Sequence, residues 1–231
     1  MSLKILYKLT TRSRPEWCKR AIKSILDNEV DDNRLILVSL DSDDPTMTTP
    51  EIMEWLSENG CHICYGRSKN KIDAINRDVD KVSEFYDWDI LVNVSDDQVF
   101  IDKGFDNIIR DEITIDIPQN EMFSLKSTNQ VLHFPDGNRS DLMTMSIIGR
   151  HYYERDGYIY HPTYISVYCD DEAQEVAKQR GCYKFVDKNI FQHLHPAYGT
   201  AIFDEQYAKN ESYYVADKAN FELRKHNGFP A

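Results

Sequence analysis

Over roughly the first half of the chain, two hydrophobic patterns alternate. "KILYKL" (residues 4–9) is a short apolar run that predicts a strand. Beyond it, Trp17, Ala21, Ile22, Ile25 and Leu26 recur three and four residues apart, with Pro15 suited to a first helical turn. "RLILVSLD" (34–41) predicts a second strand, and "PEIMEWLSEN" (50–59) a helix stopped by Gly60. "CHICYG" (61–66) predicts a third strand, and Ile72, Ile75, Val79, Val82 and Tyr86 mark one face of a further helix. "DILVNVSDDQVF" (89–100) predicts the fourth strand, followed by a helix from about Asp102 to Glu112. Strands alternating with helices imply a parallel, doubly wound sheet, whose ligands bind beyond the carboxyl ends of the strands. Those ends carry "TTRSR" (10–14), "DSDD" (41–44), "GRSKNK" (66–71) and "SDD" (95–97).

After about residue 120 the pattern changes. "MFSLKS" (122–127) and "TMSIIG" (144–149) read as strands, with a turn signal at "PDGN" (135–138) between them. A tyrosine-rich stretch leads into the helix "DDEAQEVAKQRG" (170–181), with Ala173, Val176 and Ala177 inward and Gly181 as its stop. "CYKFVDKNIFQHLHP" (182–196) is expected to be a strand ending in two histidines, and residues 201–231 a mobile or surface-draped tail. No repeat or long linker divides the chain, so one compact unit is expected.

Composition narrows the function classes. The 231 residues are 41% apolar and 29% charged, ordinary for a folded soluble protein, and carry a formal charge of -12. That charge weighs against a general footprint on nucleic acid or an anionic membrane. Lys4 and Lys8 interrupt the N-terminal apolar run, and no uncharged stretch approaches the ~18 residues of a membrane helix, so neither a signal peptide nor stable membrane insertion is expected. Five scattered cysteines, with one C-x-x-C and no second pair, fit packing thiols of a reducing cytoplasm.

Several polar clusters have chemical potential. Asp96 and Asp97 follow a buried strand, where two carboxylates need a cation or strong donors, unless they form a solvated turn or helix cap. His193 and His195 alternate on an expected strand and could approach one site as metal ligands. Asp170, Asp171 and Glu172 open a helix, where acids complement the helix dipole; one could equally be a general base. Asp41, Arg67 and Lys71 lie at strand ends and a helix start, suited to a base N–H and a diphosphate or to a mixed-charge rim. No G-x-G-x-x-G or P-loop motif is present.

The order of these clusters resembles that of GT-A glycosyltransferases, closest to family 2 of the nucleotide-sugar-dependent enzymes. "KLTTRSRPEWCKRAIKSIL", "LVSLDSDD", "RSKNKIDAINRDV", "LVNVSDDQVF", "YCDDEAQEVAKQRG" and "FQHLHP" fall where that family has its successive motifs, over residues 4–200. The resemblance implies a GT-A, Rossmann-like α/β fold: a mostly parallel central sheet flanked by helices, with a small acceptor-side region. It divides the single domain into a nucleotide-sugar-binding half (1–118), an acceptor and catalytic half (119–200) and the tail.

It also implies roles. The donor would be a nucleotide-diphosphate sugar, UDP-linked, bound through Thr10, Arg12, Asp41, Arg67 and Lys71, with Asp96 near the ribose or metal waters. Mn2+ or Mg2+ would sit on Asp97 and either His193 or His195. Asp170, eleven residues before Gly181, would be the base of an inverting transfer, with Asp171 its rival and Glu172 a helper. Here the motif is S-D-D rather than D-x-D, and C-D-D-E lacks the family's usual leading Glu. The acceptor stays open: a glycan, a lipid-linked sugar, a protein or a modified base. A nucleotidyltransferase and a non-catalytic nucleotide- or sugar-binding module are the competing readings.

Overall fold

The computed structural model describes residues 2–114 and 128–229. The N-terminal half follows the hydrophobic pattern closely: β1 (Ile5–Thr10), α1 (Pro15–Asn28), β2 (Arg34–Asp41), α2 (Pro50–Glu58), β3 (Cys61–Gly66), α3 (Lys71–Asn76), α4 (Val79–Ser83), β4 (Ile90–Ser95), β5 (Gln98–Phe100) and α5 (Phe105–Thr114). Then come β6 (Val131–His133), β7 (Ile147–Gly149), α6 (Arg150–Asp156), α7 (Cys169–Gln179), β8 (Tyr183–Phe185), β9 (Phe191–His193), α8 (Glu205–Glu211) and α9 (Tyr214–His226).

Seven strands form the main sheet in the order β3-β2-β1-β4-β7-β6-β8, in which only β7 runs against the others. Because successive side chains point to opposite faces, the central strands build two cores. Ile5, Tyr7, Leu9, Val38, Val92 and Val94 pack with the apolar stripe of α1 and with Phe105, Ile109 and Ile113 of α5. Leu6, Leu37 and Leu91 meet Ile72, Ile75 and Val79 on the opposite face, which also takes in Tyr152, Tyr153 and Ala177.

Further along the same strands this second face turns polar, with Lys8 and Thr10 on β1, Ser39 and Asp41 on β2, and Asn93 and Ser95 on β4. The change is the floor of the site. Lys8 is fully buried, yet its ammonium donates to Ser39 Oγ (2.6 Å), Thr10 Oγ1 (3.0 Å) and the Ala74 carbonyl (3.2 Å). Three acceptors match its three N–H groups. Burial still pulls its pKa down to about 7, with Asp78 pulling the other way.

Four expectations need correction. The helix over 72–86 breaks at Arg77 and Asp78, where Asp78 takes φ +77° and accepts from Ser39 (2.7 Å) and Arg77 (3.0 Å). These polar contacts outweigh the apolar period that runs through the break. The expected single strand over 182–196 is two short ones, β8 in the main sheet and β9 in a separate ribbon with β5. That ribbon pairs Gln98 with His193. The tail is helical and docked, burying Tyr207, Asp217 and Phe221. Of the expected strand "TMSIIG", only Ile147–Gly149 is extended; "MFSLKS" lies outside the described residues. Gly181 does close α7, at φ +67°. All five cysteines are free thiols.

Candidate active site

A cleft of about 640 Å³ opens at the carboxyl ends of β1, β2 and β4, walled by the β5–β9 ribbon, the start of α7, and α8. Ten of the twelve candidate side chains line it: Thr10, Arg12, Asp41, Lys71, Asp96, Asp97, Asp170, Asp171, His193 and His195. Arg67 and Glu172 do not.

The turn after β4 buries both acids of the pair, and each has different partners. Asp96 accepts from Thr11 (2.8 Å) on one oxygen and from the Arg14 guanidinium (3.1 Å) on the other. Burial and the neighbouring Asp97 charge push its pKa up to about 6. Asp97 Oδ2 accepts from the Tyr207 hydroxyl at 3.0 Å, while its buried Oδ1 accepts no hydrogen bond among the described residues. Beside that oxygen lies His193 Nε2, at 3.5 Å. On its other side, His193 Nδ1 is 3.4 Å from buried Asp136. Burial works against the charge of His193, but Asp136 and Asp97 outweigh it and carry the pKa to about 9. Burial likewise opposes ionisation of Asp97, and His193 reverses that, holding the carboxyl below its usual range. His195 lies past the end of β9, where its Nδ1 accepts from the Ala197 amide (3.2 Å) and its ring packs on Tyr207. Among the described residues no three His, Cys, Asp or Glu side chains form a ready-made metal cage. The site offers one open carboxylate oxygen beside one imidazole nitrogen.

At the other end of the cleft, Asp41 Oδ1 accepts from Ser68 (2.7 Å) and Arg77 (3.2 Å), and Oδ2 from Arg12 (3.0 Å). Arg77 also donates to the Leu40 carbonyl (2.9 Å). Arg67 is exposed and outside the cleft lining, and Arg77, which anchors Asp41, does not line the cleft either. The ammonium of Lys71 makes no hydrogen bond or ion pair among the described residues, and its charge favours ionisation of both Asp97 and Asp170.

The acids at the head of α7 separate by direction. Burial raises the pKa of Asp170; burial and then the Asp170 charge raise Asp171 to about 6. Asp170 feels Lys71 and His193, on the side of the acid pair, whereas Asp171 feels Arg139 and Glu175. Glu172 turns into the interior, accepting from Tyr164 (2.7 Å) and from two nitrogens of Arg224 (both 2.8 Å), which ties α7 to α9. From α9, buried Asp217 accepts the amides of Ile165, Ser166 and Val167 at 2.8–2.9 Å, setting the loop before the acids. Of the tyrosines over 152–168, Tyr152, Tyr153, Tyr160 and Tyr164 are core, while Tyr168 is half-buried at the cleft beside Tyr214 (O···O 2.8 Å). Arg14, Arg77, Tyr207 and Asp217 were not singled out by sequence. The aspartate and glutamate of "FDEQY" are a helix-start signal that points to α8.

No protein-family model matches the chain, and no curated protein sequence matches it. Solved structures do. S. aureus TarS 1-349 in complex with UDP-GlcNAc superposes with a TM-score of 0.60 at 10% identity, over 90% of this chain and 64% of that one. The same protein in complex with UDP gives 0.61, also at 10% identity, over 82% and 60%. The mannosyltransferase PcManGT from Pyrobaculum calidifontis, in complex with GDP-Man and Mn2+, gives 0.53 at 13% identity, over 82% and 55%. The chain has a GT-A-like glycosyltransferase fold. It spans less than two thirds of these neighbours' lengths. In this GT-A-like fold the acid pair, the Asp41 corner and the head of α7 share one cleft. No described helix is long and apolar enough to cross a membrane.

Proposed function

We propose that the chain transfers a sugar from a nucleotide-diphosphate sugar to an acceptor hydroxyl with inversion. One observation carries this reading: Asp97, whose buried Oδ1 accepts no hydrogen bond, and Asp170 line the same cleft in a GT-A-like fold. Asp97 would hold a divalent ion, Mn2+ or Mg2+, together with His193 once that imidazole has given up the proton its two carboxylate neighbours favour. When bound, the ion neutralises charge on the departing diphosphate. Lys71, which lines the same cleft, adds a cation to that charge balance. Asp136 orients His193 from behind, as a carboxylate partner does for a ligating imidazole.

The Asp41 corner supports a uridine donor. Oδ1 already accepts two hydrogen bonds and Oδ2 one, so the carboxylate keeps one open acceptor position. Uracil offers one in-plane N–H, while the corresponding edge of guanine offers two. On the acceptor side, Asp170 takes the hydroxyl proton as the oxygen attacks the anomeric carbon, and the bond to the diphosphate breaks on the opposite face. The acceptor approaches through the mouth beside Tyr168, Tyr198 and Tyr214.

A thermal-shift screen of nucleotide sugars, with and without Mn2+, tests the reading. UDP-sugars should raise the midpoint more with the ion than without it, and slow turnover should release UDP. Release of pyrophosphate would instead identify a nucleotidyltransferase. Binding with no turnover under any acceptor would leave only a binding module.

The pH profile gives a second check. A general base acts only when ionised, and a raised pKa moves its protonation to higher pH. With the Asp170 carboxyl raised by burial, kcat/KM should fall with decreasing pH at a higher pH than for an ordinary carboxylate. An ordinary carboxylate would hold its activity down to about pH 4. A profile flat down to about that pH at saturating Mn2+ would remove Asp170 from the chemistry.

A further inference from the structure

Tyr207 reaches the acid pair from α8. The preceding Asp204 caps that helix, accepting the Tyr207 amide at 3.0 Å, and holds Arg14 through Nε (2.8 Å) and Nη2 (2.7 Å). Arg14 also donates from Nη1 to Asp96 (3.1 Å), and its guanidinium carbon lies 4.2 Å from the centre of the Tyr207 ring. The ring is therefore seated by the helix cap on one side and by a guanidinium on the other. From this seat the phenol hydroxyl lies 3.0 Å from Asp97 Oδ2 and 3.2 Å from the Leu194 carbonyl. Its single proton goes to the stronger acceptor, the carboxylate.

A carboxylate turns easily about its last bond, so an acid with one free and one fixed oxygen is aimed by whatever fixes it. Asp96 has both oxygens occupied by Thr11 and Arg14. Asp97 has Oδ2 occupied by Tyr207, while its buried Oδ1 accepts no hydrogen bond and lies 3.5 Å from His193 Nε2. We propose that Tyr207 is a positioning residue of the metal site: its hydroxyl fixes Asp97 so that Oδ1 is the oxygen offered to a divalent ion. This rests on the metal-dependent reading above, and it makes α8 part of the donor site.

Tyr207→Phe tests it, because the ring stays over Arg14 and only the hydroxyl is lost. Mn2+ uptake by the full chain is followed from the free-ion EPR signal at saturating UDP. The variant should bind Mn2+ about 10–100-fold more weakly, as is typical when a partner of a metal ligand is removed. UDP affinity without metal should be unchanged, and saturating Mn2+ should restore lost turnover. Equal Mn2+ affinity in both proteins would overturn the role of Tyr207 and leave the metal site standing. No uptake by the unmodified protein would overturn both. A variant that no longer melts cooperatively would make the hydroxyl a folding group, which also overturns the proposal.

Discussion

Replacing Asp97 by asparagine should lower kcat/KM for any UDP-sugar by about 10³-fold or more, the scale of losing the main electrostatic contact to a leaving group. The substitution keeps the shape of the side chain and an oxygen for Tyr207, so the fold should survive. It removes the negative charge of a cleft-lining carboxylate whose buried Oδ1 accepts no hydrogen bond and has only His193 beside it, at 3.5 Å. His193 alone makes a weak site for a hard cation, and the charge of Asp96 is already balanced by Arg14 at 3.1 Å. Calorimetry should show UDP binding without metal retained and its enhancement by Mn2+ lost. Full activity in the variant would sink the assignment of the site.

Asp170→Asn should cost about 10²- to 10⁴-fold in kcat, the range for loss of a general base, with donor KM and Mn2+ affinity unchanged. Asp171→Asn should cost far less. The distinction is directional: Asp170 feels Lys71 and His193 near the acid pair, whereas Asp171 looks toward Arg139 and Glu175. The acid limb of the pH profile should disappear in the first variant and persist in the second. If Asp171→Asn proves the more damaging, the two exchange roles.

What the sequence revealed depended on length. Strands of six to eight residues and helices with a repeated apolar face, as in β1, β2, β4 and α1, stood out because periodicity needs several repeats to show. The three-residue strands β5, β6 and β9 carry less than two periods; a strand reaching His193 was expected, but its pairing with β5, which brings His193 beside Asp97, was not. Charge was harder to place than hydrophobicity. Arg67 and Arg77 look alike in sequence, yet only Arg77, where the helix breaks, turns back to Asp41. Glu172 belonged to an acidic triplet, but its position on α7 faces Arg224 and not the cleft. The tail misled because its apolar content is low; polar bonds from Asp204, Tyr207 and Asp217 dock it instead.

The Arg14–Asp204 pair joins residues 190 positions apart, and the Tyr207–Asp97 bond residues 110 apart. A chain made on the ribosome folds from its N-terminal side first. The sheet around β1, β2 and β4 can therefore assemble long before α8 exists. During synthesis the Asp41 corner would form early, while the acid pair would wait for the arginine anchor and the phenol. Nucleotide affinity should thus precede metal affinity in a nascent chain, with tight Mn2+ binding arising only after Asp204 and Tyr207 have emerged.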